Sequence, residues 1–368
     1  MDRRGLILCL VSVYCWSAVC SAFVVGGKDG LRLGQVPPLD RAEPGAARKL
    51  LGDVRGRALE LAQSAEDKLA AAITAANAGS SAVYVLEEDV VLTKPLPWIE
   101  KNFSIKGGAT CRAGSAPRRC FIDGAKKFQI FVAYMPCAVS IANLELRNAL
   151  GGAAYLKSSA VDIDGCAFVN NTAEFGAALY MGLGGGKFNV RATSFVNNRA
   201  TQNAGGAVFI SAREGGEFAS CVFRGNSAMT KGGAIAQFSG TRPFVISQSN
   251  FTGNSARGGG GALWITPNTP VVGDVFILGS SFVKNKAMGS MGGAIGLEAR
   301  LKGHICGSTF SGNIGSRGGA NLVLVGSTGD ESLFVNFCPK RPNGILFKPD
   351  VRYVATIDSC IPCGPLPS

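Results

Sequence analysis

Two aspartates and one arginine are the residues of this chain whose types and spacing come nearest to chemistry. Asp162 and Asp164 alternate with the apolar Val161 and Ile163, so both project from one side of a strand. Arg191 takes the place of Asp164 one repeat later. Two carboxylates beside a guanidinium suit calcium and uronate binding, or acid/base work on a sugar polymer. The competing reading is an ion pair on a solvated face, worth under about 1 kcal/mol. The single histidine, His304, falls at the position equivalent to Asp162, near Arg300 and Lys302, with no paired aspartate to complete a hydrolase set. No nucleophile elbow and no phosphate-binding loop occurs. One histidine and a lone Cys360-Ile-Pro-Cys363 argue against zinc. No cofactor or metal is therefore expected, and calcium enters only if Asp162 and Asp164 form a lyase site.

A second candidate is a column of aromatics. Two residues after a recurring alanine stand Tyr155, Leu179, Phe209, Ala236, Trp264, Gly296 and Leu322. If that column faces outward, Tyr155, Phe209 and Trp264 recur on alternate turns, roughly 10 Å apart, and could stack the rings of an extended glycan. The alternative is that a neighbouring loop covers them.

The elements that must position these groups are repeats. Phe-x-x-Asn occurs at Phe168/Asn171, Phe195/Asn198, Phe223/Asn226, Phe251/Asn254, Phe282/Asn285 and Phe310/Asn313, in steps of 27, 28, 28, 31 and 28 residues. Each is followed by Gly-Gly-Ala, starting at Gly205, Gly232, Gly260, Gly292 and Gly318, with Gly151 opening the series and Phe175-Gly176-Ala177 a degenerate copy. Apolar residues five and seven places before each Phe alternate in the manner of a strand, and the parity flips near the Phe. Short strands at this period, without helical patterning between them, predict a solenoid with a Phe ladder in its core. The Asn is expected to sit at a bend in left-handed conformation and pass amide hydrogen bonds from turn to turn. The predicted fold is all-β, a right-handed parallel β-helix with an N-terminal α-helical cap.

Residues 1–22 read as a signal peptide, 23–44 as a linker and 45–80 as a helical segment closing the solenoid, with Ser64 and Asp67 as a capping box. The β-helix is expected over 81–337, and 338–368 form a Cys/Pro-rich cap or tail. No span of a membrane is expected in the mature chain. The formal charge is +12, but without Lys/Arg runs, which favours an anionic polysaccharide or a surface or wall component as partner rather than nucleic acid. Twelve cysteines are present, three of them within the signal segment. A bridge is expected between Cys111 and Cys120. Cys166 and Cys221 share a column two coils apart, roughly 9.6 Å, too far to pair. Cys306 is expected to face outward, and Cys306 or Cys338 to bond Cys360 or Cys363. Asn102, Asn170 and Asn250 are N-glycosylation sequons if the host is eukaryotic.

The helical stretch 71–79 followed by Val83-Tyr84-Val85-Leu86 and Phe103-Ser104-Ile105 resembles the helical cap and first coils of the pectin-lyase-like right-handed β-helix superfamily. The Gly-Gly-Ala and Phe-x-x-Asn pairs are similar to the repeats of the polymorphic outer-membrane protein adhesins, over roughly residues 64–336. The resemblance implies a passenger-like β-helix, although no translocator barrel accompanies it. The expected function is a secreted, extracellular or cell-surface non-catalytic scaffold for adhesion. The alternative is a polysaccharide lyase or glycoside hydrolase of the same fold using Asp162, Asp164 and Arg191.

Overall fold

Alternation within a few residues sets the inside and outside of each coil. In the computed structural model Val161 and Ile163 are buried while Asp162 and Asp164 face outward. The structure describes residues 63–347, except 113–118, 135, 158–159, 183–185, 212–214, 239–242, 267–272, 299–300 and 327–332, together with the strands Val24–Val25, Arg32–Leu33 and Tyr353–Val354. The chain divides into two units, Met1–Gln63 and Ser64–Ser368. In the first, Val24–Val25 pairs antiparallel with Arg32–Leu33. The rest of the signal, linker and early helical segments expected there lies outside the described residues.

The second unit is a right-handed parallel β-helix with one N-terminal helix. One coil runs Ala160–Asp164 in sheet 1, Ala167–Val169 in sheet 2, Thr172–Ala173 in sheet 3 and Leu179–Met181 in sheet 4. Each strand pairs in parallel with its counterpart one coil on. The four sheets hold eleven, nine, six and nine strands.

Three left-handed corners shape the coil. The first lies three residues before each ladder Phe: Gly165, Ala192, Ser220, Gln248, Gly279 and Gly307 all have φ between 46° and 60°. It accounts for the change of parity near the Phe. The second lies one residue before each ladder Asn, at Asn170, Asn197, Gly225, Gly253, Lys284 and Gly312. The left-handed conformation expected of the ladder Asn thus belongs to its predecessor. The third is the first glycine of Gly-Gly-Ala, as at Gly232 with φ 66°. The second glycine answers to contact instead: a Cβ on Gly233 would lie 2.1 Å from the Gly261 carbonyl of the next coil. The alanine behind it, Ala234, is fully buried.

Three ladders run along the axis. The rings of Phe168, Phe195, Phe223, Phe251, Phe282 and Phe310 stack in register with centroids 4.6–5.1 Å apart and planes within 9°. The Asn side chains form a continuous buried chain. Asn198 Nδ2 donates to Asn226 Oδ1 (3.0 Å) and to the Phe168 carbonyl (3.0 Å), and Asn226 repeats the pattern one coil on. The chain passes from Asn313 to Asn321 and on to Asn343. A third ladder, of hydroxyls and thiols, occupies the position two before each Phe. There the Cys221 N–H donates to Ser249 Oγ (3.0 Å), Ser249 N–H to Ser280 Oγ (3.1 Å) and Ser280 N–H to Ser308 Oγ (3.2 Å). Every buried polar group in these columns meets a partner on an adjacent coil, which is what permits asparagines in a core.

Helix α1 (Ala65–Asn77) buries Leu69, Ile73 and Ala76, spaced to share one face. Ser64 caps it, accepting from the Asp67 N–H. Glu66 accepts from Thr93 N–H (2.8 Å), Thr93 Oγ1 (2.7 Å) and Lys94 N–H (3.1 Å), and Asn77 Nδ2 donates to the Trp98 carbonyl (2.8 Å). Both ends of α1 are thereby tied to the first coil. At the other end the winding continues beyond residue 337: Ile345–Phe347 pairs with Leu322–Leu324 in sheet 4, and Tyr353–Val354 joins sheet 1.

Candidate functional site

On the outer face of sheet 1, Asp164 is level with Arg191, as alternation requires. The guanidinium reaches diagonally instead, with Arg191 Nη2 donating to Asp162 Oδ1 at 3.0 Å. Both partners are about half exposed, at 48% and 47%. Asp164 is exposed and makes no ion pair among the described residues. The three candidates are neighbours, but the guanidinium engages only one of the two carboxylates. Successive registers carry the Asp162 position through Asn189, Glu217, Val245 and Phe276 to His304. The His304 ring stacks on Phe276 at 4.6 Å, and its Nδ1 has no hydrogen-bond partner among the described residues. Burial holds its pKa below the ordinary histidine value, opposed by Asp274 and reinforced by Lys302. Among the described residues no group of three or more His, Cys, Asp or Glu is placed to hold a metal ion.

The aromatic column differs from its expected form in register, exposure and geometry. Tyr180, not Leu179, stands between Tyr155 and Phe209, and Val323, not Leu322, follows Gly296. The left-handed Gly176 fixes the alignment, so Ala177 occupies the second glycine's place and Ala178 that of the motif alanine. Aromatics therefore fall on consecutive coils. Tyr155 and Tyr180 stack at 4.3 Å with planes 3° apart, and Tyr180 and Phe209 lie parallel at 5.5 Å. Phe175 packs on Tyr180 and Phe209, each at 5.3 Å. These ring faces are spent on one another, and only edges remain for a sugar, which stacks on faces. Trp264 is 5% exposed. Its indole lies on Gly296, where a Cβ would come within 2.1 Å, and Lys231 Nζ sits 4.2 Å from the ring centroid. Its Nε1 donates to Thr266 Oγ1 (2.7 Å) and Glu298 Oε2 (3.2 Å). Burial raises the Glu298 pKa, but hydrogen bonds from Thr266, Lys231 and Trp264 and the Lys231 charge outweigh it and hold the carboxylate below its ordinary range. Tyr155 and Phe209 are thus half-buried and stacked, and Trp264 is buried, so little open ring face is left at these three positions.

Exposed rings occur instead at the N-terminal end of the column. Trp98 and Tyr134 are 60% and 44% exposed and meet edge to face at 5.2 Å. Trp98 borders a depression of 480 Å³ lined also by Leu96, Lys127, Phe128, Gln129 and Leu150. Offsets from the motif alanine cannot find this pair, because Trp98 precedes the first Gly-Gly-Ala.

Cys111 and Cys120 are bridged, with Cα atoms 4.8 Å apart. Cys137, Cys166 and Cys221 are buried free thiols. Burial pushes Cys166 up to about 11 and Cys221 to about 12. Cys306 and Cys338 are register partners and both disulfide-bonded. Cys306 lies in the outward register column of Asp164 and Arg191, as expected, and is nevertheless buried, while Cys360 and Cys363 lie outside the described residues. The sequon residues Asn102, Asn170 and Asn250 are all exposed. No helix among the described residues is long and apolar enough to cross a membrane.

A family model of the Chlamydia polymorphic membrane protein repeat matches residues 220–236 and 248–266. These two segments are equivalent parts of successive coils, each running from sheet 2 or its preceding corner to sheet 4. No curated protein and no solved structure matches the chain.

Proposed function

We propose that this protein is a non-catalytic scaffold of the cell surface or extracellular space, a rigid β-helix whose outer faces serve adhesion and contact polysaccharide or a wall component. The observation that carries the reading is the use made of the repeat. Its Phe, Asn and Ala residues are consumed in buried ladders, so selection for the motif is selection for a long stiff rod. The match to a Chlamydia membrane-protein repeat fits display at a surface. The lyase or hydrolase alternative needs Asp162, Asp164 and Arg191 to act together. Arg191 instead neutralises Asp162 in a half-exposed ion pair of the kind that links adjacent coils. The test is an activity screen on pectin, alginate and sulfated glycans, with and without calcium. No turnover is expected. Turnover that disappears in Asp164→Ala would replace this reading with the lyase.

A further inference from the structure

Charge is distributed around the coil with a sharp asymmetry. Take five successive coils from the start of sheet 2 to the end of sheet 4: residues 194–210, 222–238, 250–266, 281–297 and 309–325. They hold seven lysines and arginines, and the one acid of these strands and turns is Glu298, which ends the fourth sheet 4 strand. Lys231 is occupied by that Glu298. The other six, Arg199, Arg224, Arg257, Lys284, Lys286 and Arg317, are exposed and have no ion-pair partner among the described residues.

Their places in the fold bring them to one ridge. Arg199 and Lys286 lie in sheet 3 in one register column, separated by Ser227 and Ser255. At about 4.8 Å per coil they stand roughly 14 Å apart along the axis. Arg224 ends a sheet 2 strand, and Lys284 forms the left-handed corner between sheets 2 and 3. Arg257 directly follows a sheet 3 strand, and Arg317 lies two residues beyond the last one. The result is a band of positive charge along the sheet 2 and sheet 3 side of the solenoid, with Ser227 and Ser255 between Arg199 and Lys286.

We propose that this ridge binds a linear anionic polysaccharide, sulfated or uronic, lying parallel to the solenoid axis. The site deepens the polysaccharide part of the proposed function and rests on it. Three features select this partner. The band is one-dimensional and repeats at the coil spacing, matching a polymer laid along it. It lacks acidic residues, so a polyanion meets no repulsion. It also lacks surface aromatics: between each sheet 2 strand and the following Gly-Gly, the only aromatic is the ladder Phe inside the core. Single-stranded nucleic acid is held by stacking on aromatics, and membrane interfaces are anchored by them.

The test compares binding of the full chain to immobilised heparin and polygalacturonate across a salt series. Three proteins are used: wild type, a ridge variant R199E/R257E/K286E, and a control K106E/K187E/K302E. The control makes the same change in net charge at exposed positions of, or beside, sheet 1. Both variants are expected to melt as wild type does, since all six positions are exposed. The ridge variant is expected to bind about 100-fold more weakly at physiological salt, with the slope of log affinity against log salt reduced by about three, while the control stays within a few fold. Equal loss in both variants would overturn the ridge and leave the polysaccharide reading standing. Failure of wild type to bind either glycan would remove that reading and the ridge with it. Ridge-dependent binding to phosphatidylserine vesicles or an oligodeoxynucleotide as tight as to heparin would overturn the assignment of a polysaccharide.

Discussion

Replacing Asn226 tests whether the amide ladder or the hydrophobic columns hold the coils in register. Asn226 is fully buried. Its Oδ1 accepts from Asn198 N–H (2.9 Å) and Asn198 Nδ2 (3.0 Å), and its Nδ2 donates to the Phe195 carbonyl (3.0 Å) and Asn254 Oδ1 (2.9 Å). Asn226→Ala removes all four bonds and leaves two donors on Asn198 without an acceptor. Orphaned buried groups cost about 1–3 kcal/mol each, so the variant should lose about 3–5 kcal/mol. Asn226→Asp separates hydrogen bonding from shape. It keeps both acceptors but sets a carboxylate against the Phe195 carbonyl and Asn254 Oδ1, which are acceptors themselves. The neutral acid can donate to one of them, so folding favours protonation and the folded pKa must rise above the ordinary value of about 3.9. The sign follows: the native state then holds a proton the unfolded chain has released, and stability falls as pH rises from the unfolded pKa to the folded one. Urea unfolding between pH 3 and 8 reads both effects, with wild type correcting for the rest of the chain. A midpoint for Asn226→Ala within about 1 kcal/mol of wild type at unchanged m, or no relative recovery of Asn226→Asp at low pH, would refute the ladder as a source of stability.

Phe223 is stacked on both sides at 4.6 Å, and Phe223→Ala should cost about 3–5 kcal/mol in the same assay. Cys166 and Cys221, raised to about 11 and 12, should resist alkylation at pH 8 in the folded protein and react once it is unfolded, as mass spectrometry of the labelled peptides will show. Burial raises the Glu66 pKa, but the bonds from Thr93 and Lys94 prevail and lower it. Its contribution is therefore present above the ordinary value of 4.5 and lost as pH falls through the folded pKa, so Glu66→Gln should cost about 2 kcal/mol at pH 7 and progressively less in acid denaturation curves below pH 4.

Some columns were legible in the sequence and others were not, for physical reasons. Stacked rings and stacked amides reward identity between neighbours, so Phe and Asn recur at constant offset. The hydroxyl and thiol ladder rewards only a short side chain that can donate to the carbonyl two residues before it. Cys166, Thr193, Cys221 and Ser249 share that chemistry in different spellings, and the pattern emerges only when residues are compared by class. Tyr180 escapes an offset counted from the motif alanine because its coil lacks the glycine pair, and the anchor is a left-handed φ that Gly176 alone reveals. Alternation places Trp264 on the outside of its coil but leaves open whether it is covered. Whether an outward side chain is exposed depends on the neighbouring coils, here Lys231 before it and Glu298 after it.

The basic ridge was hidden for the opposite reason. Relative to the ladder Phe, Arg224 stands at the first position after it, Lys284 at the second, Arg199 and Lys286 at the fourth, Arg257 at the sixth and Arg317 at the seventh. No single column contains more than two of them, and a search by column passes over the group. Packing in the core restricts each offset to one shape, whereas an electrostatic field restricts only which side of the rod carries the charge. A long-range attraction tolerates displacement of a charge by a few ångströms along a flexible Lys or Arg side chain, while a stacked ring does not. In a solenoid the repeat therefore records what builds the rod. What the rod recognises is written in the side chains that the repeat leaves free, and shows first as an absence of acids on one side.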